Sequence, residues 1–249
     1  MRSARNLYAS QPVDEENPYW MSFSDIMAGL LVIFVLAAVV LVLELLEKNE
    51  RIDQAMKEVS KAEEVRRNLL EEIEQELREK NIPVTISENA QVIHIEENVL
   101  NFESGKSEIP DQEKYKRNVL QIGLTLAQAI NKGDRKKYLD TVFVEGHTDK
   151  NPFRGSRDGN WGLSTRRAIA IWRYWDESLP EQYQLDQIVN YENKRMFSVS
   201  GYAETRPRGD TLINPDSEDS LRKNRRIDIR FTVKRSTLEQ FKTIKMNMH

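Results

Sequence analysis

The segment VFVEGHTDKNPFRGSRDGNWGLSTRRAIAIWRYW, residues 142–175, changes texture twice. Its opening, with Thr141, reads as a strand, TVFVEG. A loop rich in Gly, Asp and Asn follows, and then LSTRRAIAIWRYW, whose apolar residues recur at helical spacing. Ser164 is the candidate N-cap of that helix. His147, Thr148 and Asp149 fall directly after the strand, at its C-terminal edge, where loops commonly carry function. Arg166 and Arg167 are expected in the first helical turn, where the macrodipole disfavours cations. A bound anion would offset that, and a guanidinium beside a helix N-terminus makes a good carboxylate site. Equally, Asp149 and Arg167 can pair with each other or cap turns, since charged residues at element ends are common.

Outward from this segment the same alternation continues. VTIS and VIHIEE read as short strands separated by the turn residues ENA, and a helix is expected over 111–131, ending near NKGD. FSVSGYA and RIDIRFTV read as two further strands. Strands interleaved with helices predict one α/β sandwich domain over 82–249, an α+β arrangement with helices on one face of a mixed sheet.

Before it lies SFSDIMAGLLVIFVLAAVVLVL, residues 22–43, in which every residue from Ile26 to Leu43 is apolar or Gly. Counted from Tyr19, the stretch is about 37 Å long as a helix, enough to cross a ~30 Å hydrocarbon core. A membrane span is expected over 19–46, with a short tail over 1–18. The preceding DEENPYW is acidic and aromatic and the core runs on into ELLEKNE, which is not the pattern of a cleaved signal peptide. Tyr19 and Trp20 suit an interfacial anchor. Asp25 is then a carboxylate below the headgroups, which is costly unless it is neutralised. Either it reaches back to water as an interfacial cap, or it faces a partner helix and cycles a cation. A single helix cannot shelter that group, so the second alternative requires another membrane subunit.

Residues 44–80 contain no Gly or Pro, and acids precede bases at i,i+4, as in Glu47–Arg51 and Glu74–Arg78. A charged helical linker is expected over 47–81. A partial heptad seam runs through Ile52, Val59 and Ile73, and through Ala55, Ala62 and Leu69, broken by Arg66 and Glu76. A weak coiled coil and a solvated helix packing on nothing both fit that pattern.

Composition narrows the function. Charged residues make up 31 % of the 249 and the net charge is −3, which lacks the basic excess of a nucleic-acid binder. There is no cysteine, and His94, His147 and His249 lie far apart with no metal-ligand spacing. No metal and no cofactor are expected. The His147-x-Asp149 pair has no accompanying nucleophile or metal cluster, so catalytic residues are not assigned and an enzyme is not expected.

Three separated motifs carry a family resemblance. The quoted segment 142–175 resembles the OmpA-type peptidoglycan-binding domain, with its Gly-His-Thr-Asp turn, an Asn, then Leu-Ser and Arg-Arg-Ala. VLNFESGKSEI resembles that family's first strand and loop, and SGYAETRPRGDTLINPDSEDSLRKNRRIDIRF its closing block; together they span about residues 92–233. The resemblance implies that Asp149 and Arg167 grip the free amino and carboxylate ends of a diaminopimelate side chain, with Asn160, His147 and Thr148 in the same motif. KNPFRGSRDG departs from the simpler, Gly-rich loop of that family.

A single membrane helix with an acid at its start, joined to such a domain, resembles the B subunits of MotA/MotB-type ion-driven stators; WMSFSDIMAGLLVIFVL fits their entry signature. That implies Asp25 as the group that binds the translocated proton or sodium ion. It also implies a MotA-like partner, a self-dimer and an inner-membrane location with the N-terminus cytoplasmic and the C-terminal domain periplasmic. The Lys and Arg count on the two flanks favours the opposite orientation, but that rule is weak for long translocated domains. The short tail and NPYWMSFSDIMAGLL are more similar to the ZorB-type subunits of Zorya antiphage systems than to flagellar MotB. That likeness implies a ZorA-like partner and cytosolic defence effectors. A flagellar-type stator and a passive OmpA-like envelope anchor are the alternatives, and a passive anchor has no use for Asp25.

Overall fold

Strand alternation sorts the central sheet into two unlike faces. The structure, a computed structural model, describes residues 18–234. The expected tail ahead of Pro18 lies outside the described residues, as do His249 and the rest of 235–249. The elements are α1 (Pro18–Glu79), β1 (Thr85–Ile86), β2 (Val92–Ile95), α2 (Glu113–Asn131), β3 (Leu139–Gly146), α3 (Gly159–Ser178), β4 (Phe197–Gly201), α4 (Glu218–Asn224) and β5 (Ile227–Val233). The sheet runs β1-β2-β5-β3-β4. It is antiparallel except between β3 and β4, which are parallel and joined by the crossover helix α3, as parallel neighbours require. This is the expected mixed α/β sheet domain.

Because side chains alternate along a strand, the register places Ile93, Ile95, Val142, Val144, Ile227, Ile229 and Phe231 on one face. All of these are buried in the domain core with Trp175 and Leu126. The opposite face carries His94, Asp228, Glu145 and Ser200 across neighbouring strands. Two glycines let α3 settle against the sheet. Gly146 and Gly201 are partners at the ends of β3 and β4. A Cβ at Gly146 would collide with the Ser164 carbonyl, and one at Gly201 with Thr165 and Ser164.

Helix α3 begins at Gly159, not near Ser164. Gly159 adopts φ +52, the left-handed region that glycine tolerates, and the chain turns into the helix there. Ser164 is therefore not an N-cap. It is buried inside the helix, donates to the Trp161 carbonyl (3.1 Å) and accepts from the Ala203 N–H (3.1 Å). Arg166 and Arg167 fall beyond the first turn, so the helix dipole supplies no argument for an anion beside them.

The described residues divide into two units, one ending at Gln54 and the other beginning at Ala55. In the first, α1 carries a run that is long and apolar enough to cross a membrane. In the second, the end of α1 corrects the expected boundary at 82. Ala62, Leu69, Leu70, Ile73 and Leu77 are buried, the last four wholly so. Glu72 pairs with Lys132 (2.9 Å) and Arg135 (2.5 Å), and the Arg66 Nε donates to the Ala90 carbonyl (3.0 Å). This part of the linker is neither solvated nor free for a coiled coil, because its i,i+3/i+4 stripe is consumed by the domain's own core. Ile52 and Val59 remain exposed, at 54 % and 41 %.

Candidate functional site

The turn after β3 and the turn before β5 meet because their strands are paired. Gly146 is opposite Ile227, and the His147 N–H donates to the Arg226 carbonyl (3.0 Å). That brings Asp149 to Arg225, whose Nη1 donates to Asp149 Oδ2 (2.8 Å). The other carboxylate oxygen accepts from the Asn151 N–H (2.9 Å), so the backbone of the turn orients the acid. Arg225 also donates through Nε and Nη2 to both oxygens of Glu97 (3.1 and 2.9 Å), just beyond β2. Burial opposes the Arg225 charge, but bonds to Glu97 and Asp149 outweigh it and hold its pKa above the usual value.

Arg167 enters from α3. It is 6 % exposed. Its Nε and Nη2 donate to the carbonyls of Lys106 (3.0 Å) and Glu103 (3.2 Å), and its guanidinium lies 5.0 Å over the Phe102 ring. Burial lowers its pKa to about 10, against the attraction of Asp149. It is still a cation at neutral pH. Asp149 and Arg167 do not pair directly; they line one open cleft of about 550 Å³.

Asn160 and Thr148 also line this cleft. Asn160 works on the loop: its Oδ1 accepts from the Phe153 N–H (3.0 Å), and its Nδ2 donates to the Asn151 carbonyl (3.1 Å) and to Glu204 (2.9 Å). The Thr148 N–H donates to the Ala203 carbonyl (2.9 Å). His147 lines a small pocket that shares Glu97, Phe102, Arg167 and Arg225 with the cleft. It is 2 % exposed, stacks on Tyr202 (centroids 5.5 Å apart) and lies with Nε2 3.1 Å from Asp228. Burial lowers its pKa, partly countered by Asp228, so it is held neutral. Arg225 and Glu97 form the charged network of Asp149 in the cleft, and sequence reasoning missed both. Arg225 stood within the closing block SGYAETRPRGDTLINPDSEDSLRKNRRIDIRF, and the pairing of β5 with β3 is what brings it to Asp149.

Glu145, His147 and Asp228 lie close enough together to suggest a metal centre. Their charges are already met. Arg230 Nε donates to both oxygens of Glu145 (2.9 and 3.0 Å), and Arg226 Nε to both of Asp228 (3.0 and 3.1 Å). Burial works against ionised Asp228, but bonds with His147 and His94 and the Arg226 charge hold its pKa far below the usual carboxylate range. Two guanidiniums beside the cluster would repel a cation.

Asp25 belongs to the first unit. It lies on α1 with Ser22 one turn before and Ala28 and Gly29 one turn after. Small neighbours of this kind allow a second helix to approach a polar group closely.

Residues 101–214 match the OmpA family. The chain is similar to Zorya protein ZorB of Escherichia coli, 24 % identical over 196 residues that cover 76 % of this chain and 73 % of the relative. Among solved structures it is similar to a MotB-like protein from Desulfovibrio vulgaris, with TM-score 0.50 and 18 % identity over 71 % of this chain and 99 % of that one. The periplasmic domain of Helicobacter pylori MotB aligns with TM-score 0.45 and 20 % identity over 66 % of this chain and 87 % of that one. The chain thus matches the OmpA family over 101–214, shares its fold with that MotB-like protein and resembles ZorB in sequence.

Proposed function

We propose that this chain is the wall-anchoring B subunit of an ion-driven inner-membrane motor, of the ZorB type that serves antiphage defence. The observation that carries the reading is an apolar, membrane-length run with an acid, Asp25, at its start, in the same chain as a cleft that sets Asp149 and Arg167 apart rather than pairing them. Peptidoglycan diaminopimelate offers an ammonium to the first and a carboxylate to the second. The domain is then periplasmic, the N-terminus cytoplasmic, and residues 19–46 span the membrane. A MotA-like partner and a second copy of the chain shelter Asp25, which binds and releases a proton or sodium ion. Each charge crossing 100 mV supplies about 2.3 kcal/mol. The chain works by binding and coupling, and cytosolic effectors act on its output.

Asp25→Asn tests the motor. The variant keeps the shape and loses the charge cycle, so it should insert and assemble yet lose ion flux and phage protection. Wild-type protection at matched membrane levels would leave only the passive anchor. Asp149→Ala and Arg167→Ala test the anchor: each should stay folded and lose most co-sedimentation with purified peptidoglycan, and undiminished sedimentation of both would overturn the site.

A further inference from the structure

The cleft's charges are not independent pairs. On one side, Asp149 and Glu97 share a single guanidinium, that of Arg225. Two carboxylates against one cation leave a net charge of −1. Glu218 also approaches Arg225 (3.4 Å), but it is 83 % exposed and screened by solvent. On the other side, Arg167 donates to two carbonyls and lies over Phe102, all neutral groups, so its charge stays +1. The Glu103 carboxylate is turned outward to Lys106. The charges of Asp149, Glu97, Arg225 and Arg167 therefore sum to zero but are split into an acidic and a basic pole, the complement of a zwitterion.

Without Glu97 the acidic pole would be the Asp149–Arg225 pair alone, with no net charge to offer an ammonium. We propose that Glu97 is the residue that makes the cleft select an ammonium-bearing ligand: it binds Arg225 in two places and so leaves Asp149 with an uncancelled negative charge. Glu97 is a positioning residue, acting on the ligand through Arg225 and through the field of the pole. The inference rests on the wall-anchoring reading of the cleft.

The test is calorimetric titration of the full 249-residue chain in detergent. One ligand is the peptide L-Ala-D-Glu-diaminopimelate, and the other is the same peptide ending in 2-aminopimelate, which keeps the distal carboxylate and lacks the distal amine. Wild type should prefer the first by about tenfold or more, the scale of one charge-assisted hydrogen bond. Glu97→Gln keeps the side-chain length and a hydrogen bond to Arg225 but neutralises the pole. It should bind the two peptides almost equally, with affinity for the aminopimelate peptide unchanged. Glu97→Asp should restore most of the preference. A Gln variant that keeps the full preference, or that loses both peptides equally, would overturn the inference while leaving the anchor in place. Wild type binding neither peptide would overturn the anchor reading and this inference together.

Discussion

Truncating the buried stripe of α1 should destabilise the domain as a core mutation does. Ile73 and Leu77 are wholly buried in the second unit. Removing most of either side chain loses the transfer free energy of the deleted methylenes and leaves a void, about 2–5 kcal/mol in all. Against a typical domain stability of about 5–15 kcal/mol that is a large fraction. Ile52, on the same helix but 54 % exposed, provides the control: Ile52→Ala should shift stability by no more than about 0.5 kcal/mol. The assay is urea unfolding of the full chain in detergent, followed by tryptophan fluorescence. Trp175 reports on the core directly, being buried there with its indole N–H donating to the Val119 carbonyl (2.6 Å). Because the stripe packs within the chain, the midpoint shifts of Ile73→Ala and Leu77→Ala should not depend on protein concentration. Shifts no larger than that of Ile52→Ala, or shifts that grow on dilution, would mean that the stripe packs between chains.

Gly146→Ala should cost about 1–3 kcal/mol, since its Cβ would meet the backbone carbonyl of Ser164; thermal unfolding measures it, and a neutral outcome would refute the close approach of α3 to β3. Buried His147 is held neutral in the fold, whereas an unfolded histidine protonates near pH 6.5. The unfolded state therefore binds more protons below that pH, and stability should fall as pH drops from about 6.5 through the lower folded value. His147→Gln should flatten much of that slope in melting temperatures taken between pH 7.5 and 5.5, and an unchanged slope would assign it elsewhere. Cysteines placed at Ile52 or Val59, which stay exposed, should crosslink in membranes more readily than one at Lys57 if the remaining seam joins two copies; equal yields would exclude that pairing.

Period-two alternation in β2, β3 and β5 made the sheet legible, and the polar turn after Gly146 located one wall of the cleft. The start of α3 was hidden because Gly159, Asn160 and Gly162 carry loop-like composition, and only the left-handed turn at Gly159 makes them helical. The fate of the linker was hidden for a different reason. A stripe at 62, 69 and 73 suits a partner helix and a domain core equally well, because periodicity names the buried face and not what covers it. Arg225 and Glu97 escaped notice because they lie 128 residues apart and meet only through strand pairing. His147, one residue past Gly146, falls with Glu145 on the polar side of the sheet, and there it is buried against Tyr202 and Asp228.

Asn160 divides the loop after β3 into two parts that differ in their tolerance of insertion. Its three bonds hold Asn151 and Phe153 to α3 and Glu204, beside Asp149. Beyond that clamp, Arg154, Gly155 and Arg157 are exposed. Length can grow there without moving the carboxylate, since an insertion only enlarges a loop whose ends are already tied. A longer arm between 154 and 157 would extend the surface around the cleft and leave its chemistry intact.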